Sequence, residues 1–137
     1  MSTLIYLDTN IYLDFLLDRS GRDGKPFGEI AEKVFDRVLA CEFDVVWSDW
    51  IIYELDRTIG LEKLSMMYTI LKAKHKIIRI NYSPEDIEAA KRRSPHFQDA
   101  LHAILAERAG AKIIVTRNIY DFIFPNLPIK IKRPEDL

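Results

Sequence analysis

Residues 3–17 read TLIYLDTNIYLDFLL, and the change of character at Asp8 decides the fold class. Thr3–Leu7 is short, apolar and rich in β-formers, the pattern of a buried strand. Asp8-Thr9-Asn10 interrupts it, and Ile11–Leu17 resumes as a first helix. Outward from there, the segment from Arg19 to Phe27 holds two Gly, a Pro and four charges and reads as a loop. Glu29–Ala40 carries Ile30, Val34, Val38 and Leu39 at helical spacing, and Asp44–Trp47 is a second strand. Ser48 is a good N-cap, because its side-chain oxygen can accept a backbone N–H that the helix leaves unpaired. The helix it starts runs to about Thr58, before Gly60. Leu61–Lys74 is a helix with Leu64, Met67, Tyr68 and Leu71 on one face, and Lys76–Ile80 is a third strand. Ser83-Pro84-Glu85-Asp86 supplies a cap, a proline at the first helical position and two acids at the positive end of the helix dipole. Ser94-Pro95 repeats that start signal for a helix ending at Ala109, with Gly110 as its stop. Lys112–Val115 is a fourth strand and Ile129–Ile131 a short fifth.

Strands alternating with helices predict a three-layer α/β/α sandwich around a mostly parallel five-stranded sheet, with residues 1–137 as one domain. Periodicity does not fix the strand order. It does place a functional site at the carboxyl ends of the strands, near a topological switch point. The composition, 48% hydrophobic and 30% charged, is ordinary for a globular protein. No apolar run approaches the roughly 18 residues of a membrane span, and no signal peptide is legible before Thr3, so a cytoplasmic protein is expected. Cys41 is the only cysteine, which rules out an internal disulfide and a cysteine-rich zinc site. Its apolar neighbours suggest a small core residue. With 20 basic and 21 acidic residues the formal charge is −1, against tight nonspecific phosphate binding as the whole function.

Three acids stand in unusual places. Asp8 follows the first strand at the predicted active edge, where an aspartate is also a common turn former. Glu54, in SDWIIYELDRTI, shares a helix side with Trp50 and Ile51 while Asp56 and Arg57 turn to water. A glutamate facing a core needs a partner or a metal, and a structural ion pair is the alternative reading. Asp99 lies in the first turns of SPHFQDALHAILAERAG, where it can also complement the helix dipole. His102, one turn further, reads as packed or supporting rather than as a ligand. After the fourth strand, Thr116, Arg117 and Asn118 reach the same edge as Asp8, with Asp121 a turn later. Gathered carboxylates repel one another. Mg²⁺ or Mn²⁺ binds oxygen ligands, would neutralise such a cluster and would assist phosphodiester hydrolysis. No nucleophile elbow, Gly-rich phosphate loop or zinc motif competes.

Together these segments resemble the PIN-domain family and, within it, the VapC-type toxins of toxin–antitoxin pairs. The resemblance rests on LDTNIYLD at 7–14, the Glu of SDWIIYEL, QDALHAILAERAGA at 98–111 and VTRNIYDF at 115–122. It implies an RNA-cutting endoribonuclease dependent on Mg²⁺ or Mn²⁺. Asp8 and Asp99 would be metal ligands, Glu54 would bind or orient the metal, and Asn10 and Thr116 would support the cluster. The family's fourth acid is replaced by Asn118, so either Asn118 coordinates as a neutral oxygen or Asp121 substitutes. The resemblance further implies a homodimer and a cognate antitoxin protein, for which Trp50, Tyr53, Met66, Met67 and Tyr68 are candidate contacts or plain core. Arg117, and Arg92 and Arg93 beside Lys91, are candidate RNA contacts, although a solvated helix end explains the last three equally. A haloacid-dehalogenase-like phosphatase would need an acid at position 10, and a response-regulator receiver an acidic pair before Asp8. The remaining alternative is a catalytically inactive PIN-like module that binds RNA or protein.

Overall fold

The computed structural model describes residues 2–137, and its frame is a five-stranded sheet in the order β3-β2-β1-β4-β5. The strands are β1 (Thr3–Leu7), β2 (Phe43–Ser48), β3 (Ile77–Ile80), β4 (Ile113–Val115) and β5 (Lys130–Lys132). Every pairing is parallel, where the sequence indicated only a mostly parallel sheet. Six helices flank it: α1 (Thr9–Leu17), α2 (Phe27–Leu39), α3 (Asp49–Ile59), α4 (Leu61–Ala73), α5 (Pro84–Arg93) and α6 (Phe97–Ala109).

The central strand β1 has no exposed face. Ile5, Tyr6 and Leu7 are fully buried, as are Val45, Val46 and Trp47 of β2, which explains the unbroken apolar runs. Alternation sends Tyr6 toward α6, where its ring meets His102, and Trp47 toward α1 and α4, where it packs edge-on to Tyr12 and Tyr68. Each large side chain removed from water here contributes about 1.5–3 kcal/mol before ordering costs. The chain runs from β1 outward through β2 to β3, then returns to the other side of β1 for β4 and β5. The switch point therefore lies between β1 and β4, where the Asp8 N–H donates to the Val115 carbonyl at 2.9 Å.

Local signals account for most boundaries. The Ser48 hydroxyl accepts from the Ile51 N–H and starts α3, and Ser83 and Asp86 form a reciprocal capping box at α5. Two expectations fail. Ser94-Pro95 does not start α6; Ser94 is extended, as a residue before proline prefers, so it ends α5. Its hydroxyl then accepts from the His96 N–H, and α6 begins at Phe97. Cys41 is not a core residue. It is exposed in the turn between α2 and β2, at φ 69°, and the chain must adopt that left-handed conformation to reverse direction there.

Candidate active site

Asp8 is the N-cap residue of α1, yet its carboxylate makes no capping hydrogen bond. Instead Oδ2 accepts from the Thr116 hydroxyl at 2.9 Å, across the β1–β4 switch point. The Thr116 oxygen in turn accepts from the Asn118 N–H at 3.1 Å, so the segment after β4 is fastened to the first acid. Asp8 thus stands at the turn into α1, its carbonyl accepting from the Ile11 N–H at 2.9 Å, while its carboxylate is engaged with Thr116. The residue is only 5% exposed. Burial pushes its carboxyl up, and Glu54 adds to this, while His102 and the Thr116 hydrogen bond oppose it.

Glu54 reaches the site from α3. Its Oε1 accepts from the Thr9 hydroxyl at 2.7 Å and faces His102 Nε2 at 2.6 Å. The other imidazole nitrogen, Nδ1, lies 2.6 Å from the Tyr6 hydroxyl, which lies 3.1 Å from the Ser48 hydroxyl. A buried line of polar groups therefore runs from the α3 cap to the carboxylate. Burial alone would lower the His102 imidazole, but bonded Glu54, with Asp8 and Asp99 nearby, pushes it above its usual value. Burial alone would raise Glu54, but His102 and Thr9 hold it below the usual carboxylate range. The ion-pair reading of Glu54 is thereby realised, and His102 supports rather than stands apart.

Asp99 is different. It is half-buried in the first turn of α6 and has no hydrogen-bond partner among the described residues. Burial, then the charge of Asp8, push its carboxyl up to about 6, with Asp121 and Glu54 adding and His102 opposing. Asp121 is exposed and shares with Asp99 a cleft of about 610 Å³, which Arg93 also lines. Asn118 faces another cleft, beside Gly21, Lys25 and Arg133, so of the two candidates it is Asp121 that stands with Asp99. Among the described residues no three His, Cys, Asp or Glu groups are drawn close enough to enclose a cation as they stand. The donor set nevertheless suits a hard cation: all four acids offer oxygen, and a cation would relieve both the burial and the neighbouring charges that lift Asp99.

Two expected contacts sit elsewhere. The Asn10 amide oxygen accepts from Arg19 Nη1 at 3.3 Å, and Thr9 takes the supporting place beside the acids. Arg117 is committed to Asp14, its Nε donating to Oδ2 at 2.6 Å and its Nη2 to Oδ1 at 3.1 Å, with the guanidinium 4.1 Å from the centroid of the Phe27 ring. The Asp14 side chain is 1% exposed and demands such a partner, so this arginine fastens α1 to the segment after β4 while lining the cleft that holds Asn118. An acid inside the apolar run Ile11–Leu17 was the signal available for it. Of the basic triplet, Arg93 lines the cleft, Lys91 lies 5.7 Å from the Phe97 ring centroid, and Arg92 is exposed.

The sheet is thus all-parallel, with Asp8 at its β1–β4 switch point and Glu54 and Asp99 reaching toward it from α3 and α6. The PIN domain family model matches residues 5–120, and the chain belongs to that family of nucleases. No curated protein sequence matches it. Among solved structures, the chain is similar to VapBC2 from Rickettsia felis, bound there to a DNA fragment from its promoter. That likeness has 16% identity and a TM-score of 0.60, covering 94% of this chain and 98% of that one. It is also similar to VapC20 from Mycobacterium tuberculosis, a sarcin–ricin loop cleaving toxin. There the identity is 17% and the TM-score 0.53, covering 80% and 86%. At such identities the likeness establishes the fold.

Proposed function

We propose that this protein is a metal-dependent endoribonuclease that hydrolyses RNA phosphodiester bonds. The observation that carries the reading is Asp99: a half-buried carboxyl with no hydrogen-bond partner among the described residues, raised to about 6 by burial and by Asp8, Asp121 and Glu54. Asp8 and Asp99 would hold Mg²⁺ or Mn²⁺, with Glu54 and Asp121 flanking. When bound, such an ion activates water and stabilises charge on the phosphate oxygens. Thr116 orients Asp8 by its hydrogen bond, and His102 with Thr9 orients Glu54. Arg93, which lines the Asp99 cleft and has no ion-pair partner among the described residues, would meet the RNA backbone.

The likeness to VapC proteins extends the proposal to the toxin of a toxin–antitoxin pair, working in the cytoplasm as a homodimer and restrained by an antitoxin protein. Among the described residues no helix is long and apolar enough to cross a membrane. Of the suspected interface residues, Met67 is core and Trp50 and Tyr68 are partly buried, whereas Met66 and Tyr53 are exposed. Met66 and Ile70 line an apolar groove of about 380 Å³ with Phe15, Leu16, Phe35 and Leu39, which favours a partner on that face.

The test incubates purified protein with end-labelled RNA in Mn²⁺, Mg²⁺ or EDTA, beside an Asp99→Asn variant. Cleavage that needs the cation and disappears in the variant is expected. Cleavage that survives both EDTA and the substitution overturns the mechanism. Absence of cleavage and of cation binding leaves the inactive binding module.

A further inference from the structure

We propose that Tyr120 is the stacking platform for an unpaired nucleotide next to the scissile phosphate; the inference rests on the nuclease reading above. Of the six tyrosines, Tyr6, Tyr12, Tyr53, Tyr68 and Tyr82 each pack against another aromatic ring, with centroids 4.9 to 5.9 Å apart. Among the described residues Tyr120 meets no such ring and is 77% exposed, the highest value among the exposed large hydrophobics. It stands in the cleft of about 610 Å³ that also opens on Asp99 and Asp121.

The rest of that cleft suits a nucleotide. Arg93 can meet a phosphate, and Gln98 and His96 offer donors and acceptors to a base edge. Base faces are available for stacking only where the strand is unpaired, since a duplex hides them within its own stack. A protein partner fits less well, because the core of a protein interface is depleted of charge and this wall carries Arg93, Asp99 and Asp121. Residues 119–122 form a 3₁₀ turn anchored by Phe122, which is 1% exposed, so the Tyr120 ring is presented from a fixed base.

The test measures cleavage in Mn²⁺ of a short end-labelled RNA without internal pairing, and of the same strand annealed to its complement, by wild type, Tyr120→Ala and Tyr120→Phe. Expected for Tyr120→Ala is an about tenfold rise in KM for the single strand, with kcat little changed. Tyr120→Phe keeps the ring and is expected to behave as wild type, and the duplex to be a poor substrate for all three. An unchanged KM in the alanine variant overturns the inference, as does a phenylalanine variant equally impaired. Equal cleavage of duplex and single strand also overturns it. So does a loss that follows protein concentration together with a changed sedimentation coefficient, which would make Tyr120 an interface residue. Melting temperatures check that each variant is folded. Wild type that cleaves while the alanine variant is indifferent overturns only this inference; wild type that cleaves no RNA overturns the nuclease reading with it.

Discussion

Replacing Asp99 by Asn removes a carboxyl that the fold holds at a cost, so the variant should be more stable than wild type in the absence of metal. Asp99 sits at about 6 where a free aspartate sits at 3.8. At about 1.4 kcal/mol per pH unit, that separation of about two units caps the effect near 3 kcal/mol at neutral pH. Asp99 is half-exposed, and solvent and salt screen its neighbours' charges, which reduces the expected gain to about 1 kcal/mol. The sign follows from proton linkage. A carboxyl raised in the folded state binds its proton more tightly there, so its favourable contribution is full below about pH 4 and lost as pH rises through about 6. The Asn variant lacks that decline. Urea unfolding in EDTA at low salt, run for both proteins at pH 4.5 and pH 7.5, should show a gap at the lower pH only about a third of that at the higher. At the higher pH the variant should lead by about 1 kcal/mol. Added Mn²⁺ should then stabilise wild type and leave the variant behind. A variant less stable than wild type at pH 7.5 would refute the cost of holding this carboxyl buried beside Asp8.

Three further outcomes follow from the same geometry. Arg117→Ala leaves the buried Asp14 with only the looser Arg19 contact at 3.8 Å, and should cost about 3 kcal/mol in urea, with Arg117→Lys intermediate because it cannot form the bidentate pair. Thr116→Val removes the hydrogen bond that holds Asp8 down, so the acid limb of the cleavage pH profile should move to higher pH; stability should fall by about 1–3 kcal/mol. Gly28→Ala places a Cβ 2.8 Å from the backbone Cα of Asp18, where α2 crosses the end of α1, and should lower the melting midpoint by the equivalent of about 1–3 kcal/mol.

The parts of this fold legible in the sequence are those decided by neighbours along the chain. The apolar run Thr3–Leu7, the Ser48 cap and the Ser83–Asp86 box each carry their cause within a few residues, and the structure keeps them. Asp8, Glu54 and Asp99 stood out because an acid on an apolar face or strand end is anomalous wherever it occurs. What could not be read were pairings set by the sheet order. Thr9 rather than Asn10 serves Glu54 because the helix begins two residues earlier than Ile11 suggested. Arg117 looked free because its partner, Asp14, lies 103 residues away. Cys41 looked buried because its neighbours are apolar, but a left-handed turn carries it outward. Ser94-Pro95 satisfied two rules at once, ending one helix and capping the next, and the extended preference before proline prevailed.

The switch point also imposes an order in time. Of the five strands the middle one, β1, is made first, but one of its two flanking neighbours, β4, follows only after β2 and β3. Asp8 must wait for Thr116, 108 residues later, and for Asp99 on the way. At about 5–20 residues per second, the interval between synthesis of the first acid and of its tether is roughly 5 to 20 s. Throughout that interval the centre stays unassembled on the ribosome, and Asp8 gains its tether only as β4 emerges.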